Sequence, residues 1–261
     1  MKYQRINAII LRHLYNFKHS LDRLSDSFYW PAMDLILWGL TSIYIRNSSS
    51  NVPFIVLAII TGLIFWQSVW RSQYEITVNF ITEIWDRNLV NIFASPITIA
   101  EWITSVMILG IIKMSLSLSF AIILAIILYQ TSIFSFGLIL IPFFISLLMT
   151  GWAAGFIVAG LIARYGIKIQ TLAWVGVTII MPFSAVFYPV SILPIWAQKI
   201  AMLTPTSYIF EGMREILFTG KLSYEKLFIS FGLNTVYLIL AISFFIFMFN
   251  KSRKLGLGRL I

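Results

Sequence analysis

Long apolar runs separated by short polar stretches dominate the chain. Six of them, Phe28–Ile45, Val52–Trp70, Ile103–Leu128, Phe136–Ala163, Thr171–Pro189 and Lys226–Phe249, each hold eighteen or more residues. A bilayer core of about 30 Å takes roughly twenty residues of helix, and a backbone in lipid must pair its own N–H and C=O groups. The pattern therefore predicts membrane-spanning helices. A transmembrane barrel would instead show alternating segments of about ten residues.

Three segments between or before these runs have patterns of their own. In residues 1–27, Ile6, Ile10, Leu14, Phe17, Leu21 and Leu24 share one helical face, with Arg5, Arg12, Asn16, His19 and Arg23 opposite. This spacing predicts a basic amphipathic helix in the inner membrane interface, beside anionic headgroups, either as an anchor or as a helix that moves during transport. In Arg71–Trp102, the residues Trp85, Leu89, Ile92 and Phe93 recur at helical spacing, and Ser95-Pro96 ends the helix. That face needs a surface to pack on, either lipid or a protein partner. Residues 190–225 are too apolar for a solvated loop, yet Ile192–Leu203 is too short to span. Thr204-Pro205 starts a second helix and Gly220 stops it, which predicts two short re-entrant helices on the outer side.

Composition sharpens this picture. The 261 residues are 59% hydrophobic and 11% charged, with a mean hydropathy of +0.90. Soluble domains carry about a quarter charged residues, so the expected fold is an all-α integral membrane protein. It has six transmembrane helices, an N-terminal interfacial amphipathic helix and two external re-entrant helices before the last span. No internal repeat is visible, so 1–261 reads as a single transmembrane domain, and residues 1–27 lack the apolar core of a cleavable signal peptide. The net charge of +9 is distributed like that of a membrane surface rather than a nucleic-acid site. Thirteen Lys and Arg fall on one side of the six-span plan and four on the other, which places both termini in the cytoplasm.

Chemistry-bearing motifs are scarce. With no cysteine there is no disulfide, thiolate metal site or cysteine nucleophile. There is no phosphate-binding GxxxxGK[ST] loop, HExxH or GxSxG motif, and His13 and His19 fall on different helical faces. The expectation is no catalytic residue, no metal and no cofactor in this chain. Asp34 and Lys113 lie within expected spans at similar depth, which predicts a structural ion pair, with a substrate or proton site as the alternative. Trp and Tyr residues gather near span ends as an interfacial belt, Trp38 sits deeper, and no aromatic stripe is evident along one span face.

Two stretches resemble a known family. Glu83–Thr98, EIWDRNLVNIFASPIT, and Phe187–Arg214, FYPVSILPIWAQKIAMLTPTSYIFEGMR, are similar to segments of the type-2 permeases of ATP-binding cassette exporters. The basic N-terminal helix and the six-span plan also fit. The resemblance implies an exporter subunit in the cytoplasmic membrane, working as two copies with a separate cytoplasmic ATPase that binds ATP and magnesium. It implies an ATPase-coupling helix at Glu83, Trp85, Asp86, Arg87, Asn88, Leu89, Ile92 and Phe93. It also implies an external motif at Pro189, Pro194, Pro205, Tyr208, Glu211, Gly212 and Arg214. The expected cargo is a lipophilic or amphipathic molecule, such as a drug or a lipid. A lipid-linked polysaccharide is the alternative, and a non-transporting membrane scaffold is a second one.

Overall fold

The computed structural model describes residues 1–48, 55–130, 133–221 and 223–257. The last three residues of the expected loop at 46–51, the start of the second expected span at 52–54 and the tail from 258 lie outside the described residues. The described residues form ten α-helices: α1 (Tyr3–His19), α2 (Leu21–Ser48), α3 (Ile55–Trp85), α4 (Leu89–Ala94), α5 (Ile99–Tyr129), α6 (Leu140–Tyr165), α7 (Leu172–Val175), α8 (Ile195–Leu203), α9 (Pro205–Thr219) and α10 (Tyr224–Lys254). Short 3₁₀ turns join several of them, and there is no strand among the described residues.

Three stretches, not six, are long and apolar enough to cross a membrane among the described residues: Ile99–Tyr129, Phe136–Ile169 and Tyr224–Lys254. The physical reasons differ for the other three expected spans. α2 is long but carries Asp22, Arg23, Asp26, Asp34 and Arg46 along its length. The second expected span has its start outside the described residues and runs on past Trp70 as a longer helix, α3, whose further length buries Arg71, Gln73, Glu75, Asn79 and Glu83. The fifth expected span breaks into α7, a 3₁₀ turn over Val177–Phe183 and a left-handed residue at Ala185 (φ 56°).

The interfacial and re-entrant expectations are overturned as well. α1 is amphipathic in sequence, but Ile6, Ile9, Ile10, His13 and Phe17 are buried within the protein, with Ile6 and Ile10 against Leu109 of α5. Its apolar face is covered by protein, and the expected continuation through Leu21 fails because the helix ends at His19. α8 and α9 do form, with Pro205 at the first position of α9 and Gly220 as its left-handed stop. α9 packs Ile209, Phe210 and Met213 inward and lies along α10 and α6, so neither helix is identified as re-entrant.

Beside a small apolar cluster at Ile6, Ile10 and Leu109, two large ones form most of the interior among the described residues. Phe80, Trp102, Phe156, Phe245 and Phe249 anchor one, and Phe65, Phe143, Leu147, Phe210 and Met213 anchor the other. Polar groups also join helices. Asn234 of α10 donates to the Ser146 carbonyl (2.9 Å) and accepts from the Thr150 hydroxyl (2.7 Å), while Ser230 donates to the Pro205 carbonyl (2.8 Å). Such bonds hold apolar helices together where burial drives association weakly.

The closest backbone approach is between α3 and α6. A Cβ on Gly151 would lie 2.5 Å from the Val69 carbonyl oxygen and 2.6 Å from Ser72 Cβ, and one on Gly155 would lie 3.0 Å from Ile76 Cβ. Two glycines four residues apart thus form a flat face that lets α3 lie directly on α6. Gly151→Ala is expected to destabilise the protein by about 1–3 kcal/mol through overpacking. Gly232→Ala on α10, where nothing lies within 4 Å of the added carbon, should be neutral or slightly stabilising. Thermal unfolding of the detergent-solubilised protein compares the two, and equal behaviour would remove the glycine contact from the account.

Candidate functional site

Three regions collect the polar and aromatic groups, and α3 runs through all of them. The first is a line of buried carboxylates. Glu75 accepts hydrogen bonds from Lys113 Nζ (2.7 Å) and Asn79 (3.2 Å) and forms an ion pair with Arg71 (2.8 Å). Glu83, two turns on, accepts from Arg12 of α1 and from the Asn88 side chain (2.8 and 2.9 Å). Glu101 completes a capping box with Thr98 at the start of α5 and accepts from the Lys2 backbone N–H (2.8 Å), with Arg5 at 3.6 Å. The expected pair of Asp34 with Lys113 does not form. Lys113 is held by Glu75, and Asp34 accepts instead from Gln67 Nε2 (2.7 Å).

His13 lies against this line, fully buried. Desolvation, reinforced by Lys113, Arg12 and Arg23, lowers its pKa to about 3. Glu83 Oε1 is 3.4 Å away but makes no hydrogen bond to the ring, and that carboxylate already serves Arg12 and Asn88.

The second region is the tip where α3 meets α4. The chain leaves α3 through a Schellman turn: Asn88 N–H donates to the Glu83 carbonyl (2.9 Å), Arg87 N–H donates to that of Ile84 (3.0 Å), and Arg87 is left-handed (φ 53°). The single helix expected over Glu83–Phe93 is therefore two, bent at Asp86–Asn88. Leu89 and Ile92 are buried in the chain's own core, Phe93 packs on Phe249 (4.5 Å), and Trp85 stacks on Trp174 (6.0 Å). The tip turns Asp86, Arg87, Val90 and Asn91 outward, together with part of Trp85 and Ala94. Of the apolar face that the spacing picked out, Leu89 and Ile92 are buried internally, while Trp85 stays 45% exposed despite its stacking on Trp174.

The third region is a cleft of about 390 Å³ between α2, α3 and the segment from α7 to Phe187. α2 supplies Asp26, Trp30, Asp34 and Trp38, four residues apart each time, and α3 supplies Trp66, Gln67 and Trp70. Trp174 and Phe187 close it, with Trp38 stacked on Phe187 at 4.7 Å. α2 thus presents two tryptophans alternating with two aspartates at i, i+4 spacing, and the remaining aromatic walls come from α3, Trp174 and Phe187 rather than from a stripe along one helix face.

The external motif is held by specific bonds. Pro189 and Pro194 precede short helices, the Glu211 carboxylate accepts from Val190 N–H (2.8 Å) and Arg214 (3.1 Å), and the Tyr208 hydroxyl donates to the Met202 carbonyl (2.8 Å). Gly212 is buried. Among the described residues no group of three His, Cys, Asp or Glu is placed to hold a metal ion.

The geometry from the middle of α3 to the end of α9 has a counterpart in known sequences. A model of the ABC-2 type transporter family matches residues 76–218, more than half of the chain. The chain belongs to that family. The match takes in the tip, α5, α6 and the external motif, and leaves out α1, α2 and α10. No curated protein matches. Membership in this ABC-2 type family, with three long apolar helices, makes the chain a multi-pass helical membrane protein of the ABC-transporter permease superfamily. Such proteins generally form dimers and partner with a cytoplasmic ATPase.

Two outcomes follow from the carboxylate line. Glu75→Gln leaves Lys113 and Arg71 without their shared anion and should cost about 3–5 kcal/mol, with Glu75→Gln/Lys113→Met partly restored. Strictly additive losses in unfolding measurements would show that the two do not act as a pair. For His13, folded pKa lies below the unfolded value of about 6.5. The stability it contributes is full above that value and is lost as pH falls toward about 3. His13→Gln should flatten that acid limb of the stability profile, and an unchanged profile would contradict the neutral assignment.

Proposed function

We propose that this chain is the permease subunit of an ATP-binding cassette exporter that moves a lipophilic or amphipathic substrate across the cytoplasmic membrane. Energy comes from a separate ATPase that binds ATP and magnesium. The chain itself contributes no catalytic group, cofactor or metal, and does not engage nucleic acid. Two copies pair, and membrane lipid surrounds them.

One observation carries this reading. α3 walls the tryptophan cleft with Trp66, Gln67 and Trp70 and ends, 15 residues after Trp70, at the exposed tip. At 1.5 Å per residue that is roughly 23 Å of continuous helix between a binding-sized cleft and a solvent-facing turn. In this reading the tip, Asp86–Ala94, sits on the ATPase, and its displacement passes along α3. Glu83 ties the same turn to α1 through Arg12 and Asn88. Basic residues at both ends of the chain, Lys2, Arg5, Arg12 and Lys18 as well as Lys251, Arg253 and Lys254, support cytoplasmic termini.

A second reading is favoured by the cleft. Stacked aromatic side chains also suit sugar rings, so a lipid-linked polysaccharide is the alternative cargo. A scaffold that moves nothing has no use for the cleft.

The tip provides the test. Arg87→Glu and Val90→Asp alter outward side chains and should leave the permease folded and inserted. Co-purification of the partner ATPase should fall about thirtyfold if either residue is an interface hot spot of ~2 kcal/mol, and stimulation of ATP hydrolysis should be lost with it. Full ATPase retention and stimulation in both variants would remove the tip from the mechanism. A single cysteine at Ser95 should resist labelling from outside in intact cells, whereas one at the exposed Thr219 should label.

A further inference from the structure

We infer that the tryptophan cleft is a binding site for lipophilic organic cations, with Asp34 as the counter-ion. The inference rests on the permease reading and names its substrate class. It starts from the composition of the wall. Tryptophans from three separate elements, Trp30 and Trp38 on α2, Trp66 and Trp70 on α3, and Trp174, face one space of about 390 Å³. That volume lies in the range of small-molecule pockets, about 300–1,000 Å³. Indole faces carry negative quadrupole charge, and tryptophan is the strongest aromatic partner for a cation.

The electrostatics of the lining agree in sign. Two carboxylates, Asp26 and Asp34, reach the cleft, and among the described residues no Lys, Arg or His lines it. Asp26 already has Arg71 at 3.6 Å. Asp34 has no cationic partner among the described residues: its Oδ2 accepts from Gln67 Nε2 at 2.7 Å, and no hydrogen bond reaches Oδ1. A carboxylate kept half-buried between tryptophans without a counter-charge is costly, and an incoming cation removes that cost. The Gln67 amide fixes the carboxylate's orientation while leaving one oxygen toward the cleft.

The same features disfavour the other occupants. An anionic headgroup would meet only negative charge. A sugar would stack on the indoles but needs many hydrogen-bonding partners, and besides the indole N–H groups the described lining offers Asp26, Asp34, Gln67 and Thr178, each already engaged with protein. A flat or bulky apolar body bearing a delocalised or alkylated positive charge satisfies every wall.

The site is accessible as the structure stands. Trp30 and Trp38 are about half exposed at its mouth, at 52% and 40%, whereas Trp66 is buried at its base. A ligand therefore has an entrance between the α2 indoles and a closed end against α3. α3 is the helix that continues to the tip, so occupancy of the cleft bears on the element that reaches the ATPase.

The test uses the full chain in lipid nanodiscs without nucleotide or ATPase. The probe is radiolabelled tetraphenylphosphonium, with tetraphenylborate as the competitor of matching size and opposite charge. Saturable binding of the cation is expected, with no competition from the borate. Asp34→Asn should weaken binding about tenfold or more, and Asp34→Glu should retain most of it. Trp38→Leu, at the exposed mouth, should weaken binding severalfold and keeps the inference testable if Asp34→Asn does not fold. Equal binding of cation and borate, or wild-type cation affinity in both Asp34→Asn and Trp38→Leu, would overturn the inference. So would displacement of the cation by a neutral dextran oligosaccharide with no dependence on Asp34, which assigns the cleft to glycan. Because ATP is absent, these outcomes leave the permease reading untouched. Intact cation binding with no ATP-driven export from reconstituted vesicles would instead count against that reading alone.

Discussion

Buried charge on α3 governs the rest of the structure. Glu75 and Glu83 have almost no solvent contact, with side chains 2% and 1% exposed. A carboxylate so placed has to meet cations and hydrogen-bond donors or destabilise the fold by several kcal/mol. The chain meets this with three cations: Arg71 of α3 itself, Lys113 from α5 and Arg12 from α1. The N-terminal helix therefore turns apolar and basic residues alike toward protein. A helix whose pattern suits a lipid surface becomes a wall of the interior because its arginine has a buried partner to reach.

With its charges fixed from one side, α3 is clamped from the other by the glycine face of α6. Contact at Val69, Ser72, Gln73 and Ile76 leaves little freedom for α3 to bend. A rod held in this way transmits displacement along its length better than it absorbs it. The Schellman turn at Arg87 then hangs α4 from its end, and the inward seating of Leu89 and Ile92 makes the tip part of the rod rather than a loose loop.

Much of this was legible in the sequence, and the remainder failed for specific reasons. The continuous apolar runs around α5, α6 and α10 read directly as long helices, and Pro205 and Gly220 bound α9 where their backbone preferences put them. Hydropathy alone overcounted the crossings, because α2 and α3 mix apolar stretches with charges that find partners inside the protein, and the run after Thr171 is broken by a 3₁₀ turn and Ala185. Depth along a helix suggested Lys113 and Asp34 as partners. Direction around the helix axis decided otherwise, since Lys113 faces Glu75. The turn at Arg87 gave no warning because its left-handed position carries arginine where glycine is usual. The tryptophan cleft was readable as the Trp30, Asp34, Trp38 repeat on α2, but its other walls come from distant segments that only the tertiary fold brings together. The Gly151 and Gly155 pair was present in the sequence as well, and its role depended on knowing which helix lay opposite.

The docking of α1 also bears on the order in which the chain can be completed. Its contacts are remote in sequence: Arg12 meets Glu83 across 71 residues, and the Lys2 backbone meets Glu101 across 99. During synthesis α1 emerges well before either acceptor exists, at a ribosomal pace of about 5–20 residues per second. For several seconds an amphipathic, positively charged helix has no protein surface to cover, and the closure entropy of a long loop must be met before its bonds form. Seating of α1 is thus a late step of biogenesis. It requires α3 and the first turn of α5 to be made, and it seals Glu83 and Glu101 only once the helices bearing them are in place.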